Sequence, residues 1–187
     1  MRFLLFFFLL FSFNAYATKN LHLIDKDNSS GYAIYRTSKP KKPKDVLKLC
    51  QLGIEEIAVL SGNAIDYEYK YHRQCPNLKV VYNQKQNARI PLRSGFLSWF
   101  DSWVQEAREE GKKIAFRCNC GCHRTGRLAA YYQMKYQSLT STDAKIIMKK
   151  HGKFMFLFKT LFHQVEALED HIYQRDCSTK LKYCVQN

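Results

Sequence analysis

Acidic residues are scarce in this 187-residue chain, which has 16 aspartates and glutamates against 30 lysines and arginines. The formal net charge is therefore +14 at pH 7. An excess of this size favours partners with several negative charges, such as nucleic acids, anionic lipids or phosphorylated small molecules. Composition alone does not choose among these three classes.

Signatures of nucleic-acid-binding modules are missing. The sequence has no zinc-finger spacing, no heptads behind a basic region and no RNA-recognition motif. Its aromatic residues are spaced as on helix faces and strands rather than as a base-stacking platform. We therefore expect no nucleic-acid partner.

Long apolar runs are missing after the first residues. The run Phe3–Phe13 is shorter than the ~20 residues of a membrane-spanning helix, and it lies between Arg2 and a small-residue site that ends at Ala17. This order is typical of a cleavable secretory signal. We expect a periplasmic or secreted protein cleaved after Ala17, with a charge of 14 − 1 = +13 because only Arg2 is lost, and no stable membrane association afterwards. A retained membrane anchor is the alternative.

Strand, loop and helix patterns follow one another between residues 114 and 132. The apolar run Ile114–Phe116 predicts a buried strand, and Leu128–Tyr132 has the spacing of a helix. The residues between them, 117–126, contain two glycines. A strand–loop–helix unit of this kind directs backbone N–H groups and a helix N-terminus towards one anion. The order therefore predicts a phosphate-binding loop.

Three side chains of this loop have complementary chemistry. Loop amides, the helix dipole and Arg124 would stabilise Cys118 as a thiolate, so we expect its pKa to lie well below the free value of ~8.5. Arg124 offers a planar fork of donors that matches two phosphoryl oxygens. Thr125 can hydrogen-bond the sulfur and ease its departure from a phosphocysteine. Gly121 and Gly126 allow close backbone approach.

The loop resembles the signature of the cysteine-based protein-tyrosine and dual-specificity phosphatases, which is Cys, any five residues, Arg, then Ser or Thr. It is most similar to the atypical dual-specificity branch that acts on inositol phosphates and pyrophosphates, with tyrosine-phosphatase-like phytases as neighbours. The resemblance implies that Cys118, Arg124 and Thr125 are catalytic and that no metal or other cofactor is needed. It also implies a phosphate-binding set made of Asn119, Cys120, Gly121, Cys122, His123 and Arg124.

The resemblance extends over roughly residues 31–175, with two departures. Arg117 stands where the family usually has a histidine before the nucleophile. The family's general acid is an aspartate on a loop well before the cysteine, but the segment Asn83–Phe100 contains no carboxylate. A substrate with a good leaving group, such as a pyrophosphate or an aryl phosphate, would need less proton donation. The acidic residues that border this segment are Asp66, Glu68 and Asp101.

Basic residues near the loop are candidates for further substrate contacts. Lys85 and Arg89 lie where the family has its acid loop, and loops host binding residues disproportionately. They would contact additional phosphates as a substrate rim, and a plain surface loop is the alternative. We expect His123 to contact phosphate beside Arg124, and Arg127 to lie on the helix surface.

The alternation of strand and helix patterns predicts an α/β fold. The resemblance makes it a single-domain tyrosine-phosphatase-like fold, with a central, mostly parallel sheet flanked by helices and its site at the carboxyl ends of the strands. An amphipathic helix is predicted over residues 93–110. The predicted organisation is a signal peptide (1–17), an irregular N-terminal arm (18–30), a phosphatase domain (31–175) and a C-terminal tail (176–187).

Seven cysteines in an exported protein suggest structural disulfides, although sequence does not settle their connectivity. The candidate pairs are Cys50 with Cys75 and Cys177 with Cys184. The three loop cysteines also invite a metal-site interpretation, but their spacing differs from the usual pairs of metal-binding cysteines. A reversible disulfide from Cys118 to Cys120 or Cys122 is a further hypothesis.

Together these features predict an exported, cysteine-dependent phosphomonoester hydrolase that works through a phosphocysteine and acts on inositol polyphosphates. One alternative is a protein tyrosine or dual-specificity phosphatase acting on phosphoproteins. The other is a module that binds phosphorylated ligands without hydrolysing them, which the missing general acid motivates.

Overall fold

The computed structural model describes residues 20–187, so the predicted signal peptide and its cleavage site lie outside the described residues. The strands are β1 (His22–Lys26), β2 (Ala33–Ser38), β3 (Ile54–Val59), β4 (Lys79–Asn83) and β5 (Lys113–Cys118). They form one sheet in the order β1-β2-β5-β3-β4, in which β1 is antiparallel to β2 and the other pairs are parallel. The predicted α/β fold with a mostly parallel sheet is confirmed.

Five α-helices accompany the sheet in the described residues. They are α1 (Pro43–Gln51), α2 (Ser94–Glu109), α3 (His123–Tyr136), α4 (Ser141–His151) and α5 (Lys159–Ile172). Helix α1 begins with Pro43, whose fixed φ suits the first turn. Helix α4 begins after Thr140, whose side chain accepts a hydrogen bond from the backbone N–H of Asp143. None of the described helices has the length and apolar character needed to cross a bilayer.

Strand β5 lies in the middle of the sheet, between β2 and β3. Its side chains alternate in direction. Ile114 and Phe116 enter the larger hydrophobic core with side chains of α2 and α3, whereas Ala115 enters a smaller core with Val46 and Leu49 of α1. Because the strand is covered on both faces, its apolar run is continuous. The core therefore holds the carboxyl end of β5, at Cys118, in a fixed place.

Two predictions of local structure are confirmed. The amphipathic helix predicted over residues 93–110 is α2, and it buries the side chains Leu97, Phe100, Trp103, Val104 and Ala107. The disulfides Cys50–Cys75 and Cys177–Cys184 are both present, with Cα–Cα distances of 5.4 Å and 6.0 Å. The second disulfide closes the C-terminal segment, in which the backbone of Gln186 exchanges hydrogen bonds with Ser94 and Leu92 at the start of α2.

The prediction of an irregular arm over residues 18–30 is wrong, because residues 22–26 form strand β1. Within residues 20–187 this edge strand pairs with β2 alone, and it has a register irregularity between Leu23 and Asp25. Asp25 accepts hydrogen bonds from Arg108 (2.9 Å) and Tyr132 (2.6 Å). An irregular edge strand that carries a paired acid lacks a clean apolar alternation, so the sequence pattern did not reveal it.

Candidate active site

The strand–loop–helix unit predicted around residue 118 is present. Strand β5 ends at Cys118 and helix α3 begins at His123, so residues 119–122 form the loop. Cys118 is only 1% exposed and lies in the wall of an open cavity of about 490 Å³. Asn119, Cys120 and Arg124 line the same cavity. The cysteine and the arginine of the signature therefore face one space.

Gly121 fixes the path of the loop. Its φ of +68° is in the left-handed region, and a Cβ there would lie 2.6 Å from the carbonyl oxygen of Thr37 on β2. The Gly121 carbonyl accepts hydrogen bonds from the Arg36 guanidinium at 2.7 Å and the Asn20 amide at 2.9 Å. These bonds occupy a loop oxygen that would otherwise repel an anion.

Arg124 is held at the cavity by two backbone carbonyl groups. Its Nη1 donates to the carbonyl oxygens of Leu60 at 3.0 Å and Gln86 at 3.3 Å. A guanidinium has five N–H donors, so donors remain for two phosphoryl oxygens. The next residue, Thr125, is fully buried.

Three free thiols lie together in the loop, on Cys118, Cys120 and Cys122. Hydrogen bonding to Cys120, followed by burial, raises the pKa of Cys118 to about 12, while Thr125 acts in the opposite direction. The predicted lowering of this pKa is therefore wrong, because the sequence shows neither the depth of the sulfur nor its contact with Cys120. Of the three thiols, Cys122 is the one whose pKa is lowered, chiefly by a hydrogen bond with Cys120.

His123 lines the cavity, but its ring is held by other groups. It stacks on Phe158 with ring centroids 3.7 Å apart, and its Nε2 lies 2.8 Å from the carbonyl oxygen of Lys153. Its Nδ1 lies 3.9 Å from the sulfur of Cys120. The histidine thus connects the loop to the segment before α5, and a direct phosphate contact stays a prediction.

The predicted rim residues lie at the same cavity as Cys118. Lys85 and Arg89 both line it, and both side chains are exposed. Gly62 allows the rim to approach β3, since a Cβ there would lie 2.8 Å from the backbone nitrogen of Lys85. Residues 84–90, which stand where the family has its acid loop, therefore form one side of the site, and we refer to them as the basic wall.

No carboxylate lines this cavity in the described part of the chain. Glu68 is buried in an ion pair with Arg117, and Asp101 accepts hydrogen bonds from two tyrosines of α3. Asp66 is exposed on a short 3-10 turn. The three acids that border the Asn83–Phe100 segment are thus engaged elsewhere or away from the cavity.

A second, basic hollow of about 690 Å³ adjoins the first. Asn119 and Cys120 line both spaces. The lysines that line the second hollow are Lys39, Lys41, Lys150 and Lys153. Positive charge thus surrounds the loop on more than one side.

Arg117, in place of the family's histidine, is fully buried. Its Nε donates to the Glu68 carboxylate at 2.7 Å, and its Nη2 forms an ion pair with the same group. Its Nη1 donates to Ser61 at 2.6 Å and to Asn63 at 2.8 Å. Asn63 in turn donates to the side chain of Asn119 at 3.1 Å. Arg117 therefore supports the loop from below through polar neighbours.

The prediction that Arg127 lies on the helix surface is wrong. Its side chain is 1% exposed, and it donates to the carbonyl oxygens of Ile90 (2.6 Å) and Asn87 (3.2 Å) and to the Gln164 side chain. Arg127, which belongs to α3, thus links the basic wall to α3 and α5 through hydrogen bonds. A charged residue in a helix is normally exposed, so burial of this kind has no sequence signal apart from the apolar residues that follow it.

Arg36 was also missed from the sequence. It is 2% exposed beneath the loop, and burial lowers its pKa to about 10, while the three loop cysteines act in the opposite direction. Its place in β2, directly after Ile34 and Tyr35, was the available signal, because an arginine inside an otherwise apolar strand needs a partner.

Comparisons with known proteins agree with this geometry. The family model described as "Dual specificity phosphatase, catalytic domain" matches residues 47–170. The tyrosine-protein phosphatase vhp-1 of Caenorhabditis elegans is 24% identical over 110 residues, which cover 52% of this chain but only 17% of that protein.

Solved structures show the same fold. Pseudomonas aeruginosa TpbA superposes with a TM-score of 0.59 and 20% identity, covering 81% of this chain and 96% of its own. The catalytic core of Siw14 gives a TM-score of 0.64 and 20% identity, covering 84% and 90%. Another solved structure of Siw14, from Saccharomyces cerevisiae, is described as the core catalytic domain of a PP-IP phosphatase in complex with citrate. Since the family match includes the Cys118 loop and more than half of the chain, this protein belongs to the dual-specificity phosphatase family.

Proposed function

We propose that Cys118 is the nucleophile of a two-step phosphomonoester hydrolysis. After its thiol has lost its proton to solvent, the Cys118 thiolate attacks phosphorus. The bond to the leaving oxygen breaks, which gives a phosphocysteine and the leaving-group anion, and solvent protonates that anion. Arg124 and the backbone amides of residues 119–124 hold the equatorial oxygens during this step. Water then attacks phosphorus and releases inorganic phosphate and the Cys118 thiolate. The observation that carries the proposal is the shared cavity of Cys118 and Arg124 at the N-terminus of α3.

The substrate we propose is an inositol polyphosphate. Lys85 and Arg89 line the cavity of Cys118, and four lysines line the hollow beside it. A small polyanion could contact several of these cations at once, whereas a single phosphotyrosine has one phosphate to offer. The PP-IP phosphatase named for the Saccharomyces cerevisiae neighbour supports this choice. A phosphotyrosine protein is the second candidate, supported by the TpbA structure in complex with pTyr.

Among the residues that the structure describes, no carboxylate lines the cavity, which favours substrates whose leaving group needs little protonation. A phosphoanhydride or an aryl phosphate meets this condition, because its leaving oxygen is weakly basic. We therefore propose that rates with simple alkyl phosphates fall steeply as the basicity of the leaving group rises.

We also propose that the protein acts outside the cytoplasm, after removal of residues 1–17. The two disulfides in the folded chain are compatible with an oxidising compartment. Mass spectrometry of the protein recovered from the periplasm or medium tests this directly. A mature N-terminus at Thr18 supports the proposal, and an intact N-terminus in the cytoplasm contradicts it.

The substrate proposal is tested by comparing one double variant and one single control variant on two substrates. Lys85→Ala/Arg89→Ala is expected to raise KM for inositol hexakisphosphate at least tenfold and to change kcat/KM for a phosphotyrosine peptide by less than threefold. Lys79→Ala, at an exposed lysine of β4 away from the cavity, is the control for lost charge. Equal effects of the double variant on both substrates would contradict the inositol polyphosphate proposal while leaving the phosphatase chemistry intact.

A further inference from the structure

The segment that joins α4 to α5, residues 152–158, exposes a cluster of large apolar side chains. Phe154, Phe156 and Leu157 are 66%, 67% and 66% exposed. Single exposed apolar residues are common, but a contiguous group of this kind marks a contact surface. We refer to these three residues as the apolar tip.

The segment is anchored from within, so the apolar tip is held in place. Met155 is buried between the exposed residues, and Gly152 permits this because a Cβ there would lie 2.3 Å from Met155 Cγ. Phe158 stacks on His123 of the phosphate-binding loop. The apolar tip is thus fixed beside the active-site cavity, which Phe158 also lines.

Lysines flank the apolar tip along the chain, and Lys149 and Lys159 line one hollow together with Phe156. Residues 144–165 contain five lysines and no aspartate or glutamate. Lys145 pairs with Glu166, whereas the other four make no ion pair within residues 20–187. These four are Lys149, Lys150, Lys153 and Lys159.

We propose that this surface docks reversibly on a bilayer that carries anionic phospholipids. Aromatic and leucine side chains enter the headgroup boundary, and adjacent lysines bind the negative surface. A second copy of the chain is a poorer occupant, because pairing the same surface would bring its lysines together. This contact differs from a stable membrane association, which is not expected after removal of the signal peptide, because it depends on charge and is reversed by salt.

Docking would turn the Cys118 cavity towards the lipid headgroups. Phe158 lines that cavity, and the Lys153 carbonyl and Phe158 ring both contact His123. Phosphorylated molecules held at a membrane surface would then lie close to the site. The docking proposal itself does not depend on the identity of the substrate.

The test uses a reporter in the apolar tip, because the apolar run Phe3–Phe13 would bind vesicles by itself in any unprocessed chain. Phe156→Trp is compared with Leu181→Trp, at a residue of the C-terminal segment that is 87% exposed and is not part of the apolar tip. Each variant is mixed with vesicles of phosphatidylcholine alone or with vesicles in which about a third of the lipid is phosphatidylglycerol. Brominated acyl chains in these vesicles quench the fluorescence of a tryptophan that inserts among them. We expect blue-shifted, bromine-quenched emission only for Phe156→Trp, only with anionic vesicles, and reversal by high salt.

A second comparison measures affinity. Phe154→Ser/Phe156→Ser/Leu157→Ser is expected to weaken the salt-sensitive vesicle binding at least tenfold relative to Ile65→Ser/Leu181→Ser, whose side chains are 70% and 87% exposed. Hydrolysis of a soluble aryl phosphate should stay within twofold. Unchanged Phe156→Trp emission, equal response to neutral vesicles, or dimerisation that the triple substitution abolishes would overturn the lipid proposal.

Discussion

The reactivity of Cys118 depends on a neighbouring sulfur. Hydrogen bonding to Cys120 and burial hold its pKa far above neutral pH, so the thiol is the dominant form there. The backbone amides of the loop favour the thiolate, whereas the hydrogen bond with Cys120 and the burial of the sulfur favour the thiol. The family signature points to Cys118 as the nucleophile that we propose, without revealing how readily its thiol ionises.

Replacing Cys120 by alanine is therefore expected to lower the pKa of Cys118. Because the folded pKa is raised, the thiolate fraction grows as pH increases, and kcat/KM for an aryl phosphate should rise with pH in the unmodified protein. Cys120→Ala should shift that rise to lower pH, since a decrease of one in the pKa increases the thiolate fraction about tenfold. The pH dependence of iodoacetamide labelling at Cys118, located by mass spectrometry, provides the check. An identical labelling profile in both proteins would refute the role given to Cys120.

Arg117 and Glu68 form a buried pair beside the loop. Glu68→Gln should lower the free energy of unfolding by roughly 3–5 kcal/mol, because it leaves a buried guanidinium without its counter-charge. Denaturant unfolding measures this, with Glu55→Gln at an exposed position of β3 as the control. A loss equal to that of the control would show that the pair contributes nothing beyond a surface charge.

At the scale of elements, the basic wall at residues 84–90 depends on α3 and α5 for its position. Arg127 connects the carbonyl groups of Asn87 and Ile90 to the core. These hydrogen bonds hold the positions of Lys85 and Arg89 although the loop forms no regular secondary structure. Helix α3 therefore supports both the basic wall and the phosphate-binding loop.

Arg127→Leu is expected to release this wall. Unpaired carbonyl groups should cost about 1–3 kcal/mol of stability, and displacement of Arg89 should raise KM for inositol hexakisphosphate more than it changes kcat for an aryl phosphate. Steady-state kinetics on both substrates measure the difference, with Arg93→Leu at an exposed position as the control. If both substrates respond alike, the wall is not positioned by Arg127.

The elements differ in how much the sequence could predict. The continuous apolar run of β5 and the amphipathic period of α2 are local signals, and the strand and the helix predicted from them were confirmed. The Cys118–Arg124 spacing is also a local signal, and both side chains line one cavity. Their catalytic roles stay predictions. Strand β1 was missed because an irregular edge strand needs no strict alternation. The burial of Arg127 was missed because its partners, Ile90 and Gln164, are distant in sequence.

For the whole molecule, the dominant feature is its positive charge. The full chain carries +14 at pH 7, and the expected mature chain carries +13. Lysines and arginines concentrate around the loop in two adjoining hollows. A positive field of this extent should attract a polyanion over longer distances than the site alone.

Salt should therefore affect substrates according to their charge. Raising ionic strength is expected to increase KM for inositol hexakisphosphate by roughly an order of magnitude or more, and to change KM for a monoanionic aryl phosphate only slightly, because screening grows with the product of the charges. Initial rates over a salt series, with kcat determined separately, give the comparison. Parallel salt dependence for both substrates would argue against a field that selects polyanions.

The central claim is that hydrolysis passes through a phosphocysteine on Cys118. The most direct measurement is rapid acid quenching of the reduced protein during turnover of an aryl phosphate, followed by mass spectrometry of the peptide that contains residues 117–124. We predict one added phosphoryl group on Cys118, its absence in Cys118→Ser, and loss of phosphate release in that variant. Phosphate release that persists in Cys118→Ser would contradict the account.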